Sequence, residues 1–161
     1  MTFKLKHNLG FTIIELVVVI AVIGILSLVA TVSYRGVQAD ARDSERETDT
    51  QLIYTALERF YNENGRYPSY IEADTNTFFN TTLDIPQSAL SSPNTSSNKV
   101  FVVRGSSTNT NAQKYSISQY TYYPMNSSNG YCGSTSCVKY TLTYKNEGDG
   151  ANKTINSRYG W

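Results

Sequence analysis

Between Phe11 and Val32 the chain offers 22 consecutive positions with a single ionisable side chain, Glu15. As a helix that run is long enough to cross a bilayer core of roughly 30 Å. The first proline of the chain is Pro68, so nothing obliges such a helix to break. Glu15 is the anomaly. A carboxylate inside a membrane span costs about 2.5–3.5 kcal/mol at a helix centre, and a plain anchor gains nothing from it. An acid in that position calls for a partner.

The partner can be read from the residues just ahead. If the chain is cut between Gly10 and Phe11, Phe11 carries a free ammonium four residues before Glu15. A neighbouring copy can then bring its own Phe11 ammonium against this Glu15. Before the cut, the Phe11 nitrogen is a neutral amide and offers no charge. Two plainer readings fit less well. A secretory signal peptide has a shorter apolar region of about 7–15 residues and a small-residue cleavage site after it. A simple signal anchor leaves Glu15 without a role.

A basic leader with Lys4 and Lys6 ends in Gly10, and Phe11, Thr12, Ile13, Ile14 and Glu15 open the apolar run. This order resembles the class III signal of type IV prepilins and the related pseudopilins. The resemblance implies that prepilin peptidase cuts after Gly10 and methylates the new Phe11 amine, and that Glu15 guides subunits into a helical filament. It covers about 25 residues and is specific, because leader, glycine, phenylalanine and glutamate stand in one fixed order. One departure is the lack of the proline that many members carry in the second half of the span; Gly24 is the only comparable weak point.

Leader (1–10) and span (11–32) leave residues 33–161 for one modest head. The whole chain carries a formal charge of +1; without Lys4 and Lys6, 12 basic residues face 13 acidic ones. That balance gives no electrostatic ground for a nucleic-acid binder. The basic leader keeps the N-terminus cytoplasmic and sends the rest across the membrane. On that outer side Cys132 and Cys137 point to one disulfide, with a pair of free thiols as the alternative. The only histidine, His7, lies in the leader, so the mature chain has no histidine for Ser-His-Asp or Cys-His chemistry. No cofactor or metal is expected, and the chain reads as no enzyme.

The expected fold is α+β: a long N-terminal helix packed on a C-terminal antiparallel sheet of three or four strands. Residues 33–51 are polar nearly all round, with Arg42–Glu45 and Asp43–Arg46 at i,i+3 spacing, and read as a stalk. Leu52, Ile53, Ala56, Leu57, Phe60 and Tyr61 then form an apolar stripe that ends at Asn64-Gly65. As one helix, Phe11 to Asn64 spans on the order of 80 Å at 1.5 Å per residue. Residues 65–98 read as a connecting surface loop with a short helix around Ile85 to Leu90, its Ser-, Thr- and Asn-rich part favouring turns. Residues 99–161 read as the β region. Strands are expected over Lys99–Arg104, Lys114–Tyr123, Cys137–Lys145 and Lys153–Tyr159, with Gly148-Asp149-Gly150 as a turn. In the third, Val138, Tyr140, Leu142 and Tyr144 should face the helix and Lys139, Thr141, Thr143 and Lys145 solvent.

Three further features have a plain reading beside a functional one. Thirteen tyrosines suit half-buried strands, although Tyr122, Tyr123 and Tyr131, flanking the Pro124–Ser136 loop, are the best placed for an adhesive surface. Glu147, Asp149 and Asn152 surround the Gly-rich turn, but three oxygen ligands fall short of the six to eight that calcium takes. The triplets Asn80-Thr81-Thr82 and Asn126-Ser127-Ser128 are expected by chance in so Asn- and Thr-rich a chain.

The resemblance thus implies a structural subunit of a type IV pilus. It waits as a single-pass protein in the cytoplasmic membrane, is cut by prepilin peptidase, and polymerises with its own copies on an assembly platform into a surface filament. Alternatives are the major pseudopilin of a type II secretion or competence DNA-uptake system, a rare tip-located adhesin or DNA-binding pilin that would meet nucleic acid, and a signal-anchored enzyme. The last is poorly served by a mature chain without histidine.

Overall fold

The computed structural model describes residues 10–75, 77–93, 101–102, 119–134 and 137–161, with the side chains of residues 29–33 and 101–102 set aside. The leader of residues 1–10 therefore lies outside the described residues except for Gly10. Helix α1 runs over Ile13–Asn64. The chain divides into two units between Gln38 and Ala39, and each is taken by itself.

The first unit is helical. Its apolar side chains are exposed: Phe11 is 91% accessible, and Ile13, Ile14, Leu16, Ile20, Ile23, Leu26 and Leu28 are exposed as well. The span over Phe11–Val32 closes on side chains outside the described ones; among the described residues no helix is long and apolar enough to cross a membrane.

In the second unit the stripe of α1 packs on the sheet, as the spacing requires. Ile53, Ala56, Leu57 and Phe60 are buried and Tyr61 is half-buried, while Leu52, at the margin of the stripe, stays 48% exposed. The buried face does not begin at Ile53. It extends back through Thr50, Arg46 and Asp43, which stand at intervals of three and four and so share one side of the helix. This corrects the reading of residues 33–51 as a stalk over its C-terminal part. Arg46 is 1% exposed and donates to Asp43 at 2.7 Å, to Glu147 at 3.3 Å and to Ser92 at 3.2 Å. Arg42 forks onto Glu147 at 2.6 and 2.9 Å rather than turning to Glu45. Asp43 in turn accepts the backbone N–H groups of Glu147 and Gly148. Each charge on this face is hydrogen-bonded, which is the condition under which charge is tolerated out of water.

The helix stops where Asn64-Gly65 predicts. Gly65 takes φ +68° and donates to Tyr61 O at 2.7 Å, a left-handed cap that favours glycine. The following segment is not a surface loop. Helix α2 (Tyr70–Ala73) is held by a capping box of Ser69 and Glu72. A π-turn (Phe78–Thr82) and a 3₁₀ turn (Gln87–Leu90) follow, the latter inside the region where a short helix was expected. Ala73, Phe78, Phe79, Leu83, Ile85, Ala89 and Leu90 all enter the core. The anchors are few, but their spacing drops one or two into the interior per turn. Residues 94–98 lie outside the described residues.

The sheet has the order β1 (Phe101–Val102), β2 (Thr121–Met125), β3 (Lys139–Lys145), β4 (Asn152–Asn156). β2–β3 and β3–β4 pair antiparallel, with Leu142 opposite Tyr122 on one side and Ile155 on the other. β1 pairs parallel to β2, a correction to the all-antiparallel expectation. Parallel pairing needs a crossover of a dozen or more residues, and residues 103–120 supply that length. The remaining parts of the Lys99–Arg104 strand and the Lys114–Ser118 part of the next lie outside the described residues. β4 begins at Asn152, after the hairpin turn that Gly150 closes at φ +68°, and ends at Asn156, short of the edge strand expected over Lys153–Tyr159.

Tyr140, Leu142 and Tyr144 face inward as predicted, but Lys139 and Thr143 are also buried. The C-terminal tail covers Lys139: its Nζ lies 4.9 Å from the centre of the Trp161 ring, a cation–π contact. Gly160, at φ +88°, allows that fold-back, since a Cβ there would meet Val138 O at 2.5 Å. Thr143 finds Thr154 Oγ1 at 3.1 Å across the β3–β4 pair.

Inside this shell Glu58 joins four parts of the chain. It accepts from Tyr67 OH at 2.8 Å, Tyr140 OH at 3.0 Å and the Arg158 N–H at 3.1 Å. The Tyr67, Tyr140 and Tyr122 rings pack at centroid distances of 4.8 and 5.4 Å. Burial and the neighbouring Glu58 push the phenols of Tyr67 and Tyr140 well above their ordinary range, so both remain donors.

Two outcomes follow for stability. Arg46→Met strands a buried Asp43 beside Glu147 and should cost about 3 kcal/mol, the lower end for breaking a buried ion pair; the midpoint of urea unfolding reads it. The Arg66 fork at 2.6 and 2.7 Å, first among the causes, holds Glu72 down to about 2 from an ordinary 4.5. A depressed carboxylate stabilises the fold above its unfolded value and loses that contribution as pH falls toward the folded value. Glu72→Gln should therefore flatten stability against pH between 4.5 and about 2 and leave the slope above it unchanged.

Candidate functional site

Of the residues singled out for cleavage and assembly, Gly10 and Phe11 lie just before α1 and Glu15 in its first turn. Gly10 is exposed, with open space where a Cβ would stand, and Phe11 follows it on the surface. Glu15 lies in the first turn. Its Oε2 accepts both the Thr12 N–H at 2.8 Å and the Thr12 hydroxyl at 2.7 Å. The Glu15 N–H points back at Thr12 Oγ1 at 3.4 Å. This is a capping box, and it places a negative group where the orphan N–H groups of the helix gather. The acid is therefore held by its own chain. Thr12 was not anticipated as a partner, although the T-x-x-E spacing of a capping box stands in the sequence. A contact of Phe11 with Glu15 of another copy is a matter for two chains.

The flank of the site is apolar. Ile13, Ile14, Leu16, Val17, Val18, Val19 and Ile20 are each at least half exposed. An apolar run this long, rarely left uncovered on a soluble monomer, marks a surface for lipid or protein.

The cysteines form the expected disulfide, Cys132–Cys137, with Cα atoms 5.6 Å apart. Its place is structural. The Cys137 carbonyl accepts the Tyr67 N–H at 2.8 Å and the Cys132 carbonyl accepts the Tyr70 N–H at 3.2 Å. The bridge thus clamps the segment that leaves α1. Residues 135–136 of its loop lie outside the described residues.

The proposed adhesive tyrosines are not gathered on one surface. Tyr122 is fully buried and donates to Pro68 O at 2.8 Å, a correction. Tyr123 and Tyr131 are half-buried, and Tyr131 packs on Tyr70 with centroids 5.7 Å apart. The Gly-rich turn also serves the fold. Glu147 is held by Arg42 and Arg46, and hydrogen bonding from Arg42, foremost, lowers its pKa. Asp149 accepts the Ala151 N–H at 2.8 Å and pairs with Lys153 at 3.4 Å. Asn152 opens β4. An open cavity of about 580 Å³ lies beside this turn, lined by Asp40, Glu47, Asp149 and Lys153 among others. Among the described residues no His, Cys, Asp or Glu cluster of three or more is placed to hold a metal.

Comparison with known proteins bears on the N-terminal segment. Residues 5–31 match the prokaryotic N-terminal methylation motif. The chain is 41% identical over 64 residues to the type IV major pilin protein PilA of Myxococcus xanthus, covering 40% of this chain and 29% of the relative. It is 40% identical over 60 residues to the fimbrial protein of Neisseria meningitidis, covering 37% and 35%. It is 39% identical over 59 residues to a type IV major pilin protein of Neisseria gonorrhoeae, covering 37% and 36%. These matches span about a third of the length of each relative. No solved structure matches the chain. Through its N-terminal methylation motif and this likeness, the N-terminal segment of the chain is similar to that of type IV major pilins.

Proposed function

We propose that the protein is a structural subunit of a type IV pilus, cut after Gly10, methylated at Phe11 and polymerised through the apolar half of α1. The observation that carries this reading is the pairing of a capped acid with an exposed apolar run: Glu15 bound by Thr12, and Ile13 to Leu28 left in the open. The likeness to relatives named as type IV major pilins supports a location on a surface pilus once assembled. Prepilin peptidase and an assembly platform are the partners this requires, and the cytoplasmic membrane is the store before assembly.

Thr12 gives the waiting acid a ligand within its own chain. In lipid the helices have little hydrophobic reason to associate, because acyl chains are as apolar as leucine. Cleavage adds a second donor, an ammonium on Phe11 of a neighbour, and a charge-assisted bond is stronger than a neutral one. The filament thereby offers Glu15 more than the membrane does. Moving the helix from lipid to its copies still requires an energised machine.

Glu15→Val separates insertion from assembly. The variant should enter the membrane and be cut normally, since leader and span are intact. Sheared-fibre yield should fall at least roughly tenfold, the factor a charge-assisted hydrogen bond is worth. A normal yield of fibres from cells expressing only this variant would remove the charge pair from the account.

A further inference from the structure

The chain contains two Asn-Gly pairs among its described residues, Asn64-Gly65 and Asn129-Gly130, and the structure treats them differently. Asparagine before glycine is the pair most open to succinimide chemistry, because no Cβ shields the following backbone nitrogen. At the end of α1 that chemistry is doubly blocked. Asn64 Nδ2 donates to Phe60 O at 2.9 Å, and Gly65 N donates to Tyr61 O at 2.7 Å. Both reacting groups are bound into the last helical turn.

Asn129 stands in the tight turn after β2. It is exposed, with φ at +61°, and no hydrogen bond of its side chain is among those that hold the turn. The backbone closes through Asn126 N to Gly130 O at 2.9 Å and Asn129 N to Asn126 O at 3.2 Å. The nitrogen that would attack, Gly130 N, is held by one bond, to Asn126 Oδ1 at 2.9 Å; the same oxygen takes the Ser128 N–H at 3.0 Å. Asn126 is the first residue of the Asn-Ser-Ser triplet noted in the sequence, and the structure turns its side chain inward over the loop rather than outward as an acceptor for sugar.

We propose that Asn129 is a site of spontaneous deamidation and that the Asn126 side chain sets its pace. The Gly130 nitrogen gives up its proton and attacks Asn129 Cγ. A C–N bond forms, the Cγ–Nδ2 bond breaks, and the side-chain nitrogen leaves as ammonia, carrying the proton. Water then opens the five-membered succinimide at one carbonyl or the other, giving aspartate or isoaspartate. Each event adds a negative charge to an exposed turn, and the isoaspartate product also lengthens the backbone by one carbon. The hydrogen bond from Gly130 N to Asn126 must open before the nitrogen can attack.

The test uses the full chain held in mildly alkaline buffer, with peptide mapping by mass spectrometry at both Asn-Gly pairs. Wild type should gain aspartate and isoaspartate at Asn129 faster than at Asn64. Asn126→Ala should raise the rate at Asn129 alone by roughly three- to tenfold, the range for loss of one ordinary hydrogen bond. Asn126→Asp keeps an acceptor for Gly130 N and should stay at or below the wild-type rate. The proposal is overturned if Asn129 reacts no faster than Asn64, or if Asn126→Ala leaves the Asn129 rate unchanged. It is equally overturned if Asn126→Ala raises both sites alike, since that is general loosening of the fold rather than release of one nitrogen.

Discussion

The first half of α1 has no cover among the described residues of its own chain, and the behaviour of the protein follows from that constraint. Each Leu, Ile or Val side chain left in water forgoes about 1.5–3 kcal/mol of burial. From Ile13 to Leu28 such residues recur on all sides of the helix, so no single partner face can hide them. The surroundings must be apolar all round, which either a bilayer or a bundle of identical helices provides. Glu15 is the one charge in that run, and Thr12 lets it remain there without a second chain.

The second half of α1 solves the opposite problem. Its buried face carries Asp43, Arg46, Thr50 and Glu58, interleaved with Ile53, Leu57 and Phe60. Asp43, Arg46 and Glu58 each meet a donor or acceptor from a distant part of the chain: Glu147 and the turn after β3, Ser92, Tyr67, Tyr140 and the tail at Arg158; Thr50 donates within the helix, to Arg46 O at 2.7 Å. Fully satisfied contacts of this kind specify one arrangement, because a slipped register would leave a charge buried alone. The disulfide adds a local clamp where the chain leaves the helix. A short closed loop removes little unfolded-state entropy, so its stabilisation is about 2 kcal/mol or less, and its main effect is to present two carbonyls to Tyr67 and Tyr70.

Where one residue's chemistry dictates the backbone, the sequence was readable. Asn64-Gly65 ends the helix, Gly150 closes the hairpin, and Tyr140, Leu142 and Tyr144 alternate inward. The failures share a cause: burial of groups that composition marks as exposed. Arg46 and Asp43 look solvated until Glu147, about a hundred residues away, is beside them. Lys139 looks outward until Trp161 folds over it. The anchors between Ala73 and Leu90 are too sparse for a periodic pattern, so their common burial appears only in three dimensions. At the candidate site the order Gly10, Phe11, Glu15 is plain in the sequence, whereas the role of Thr12 as a cap for Glu15 depends on the helix starting at Ile13, a boundary that the apolar run leaves open.

In the proposed function Glu15 waits for a cation that cleavage after Gly10 would create. Mass spectrometry of the protein purified from its native host reads that event directly at the new N-terminus. The expected species begins at Phe11 and carries one added methyl group on its α-nitrogen. A mature chain that begins at any other residue would contradict the account, because Glu15 would then have no ammonium four residues ahead of it to meet in a neighbour.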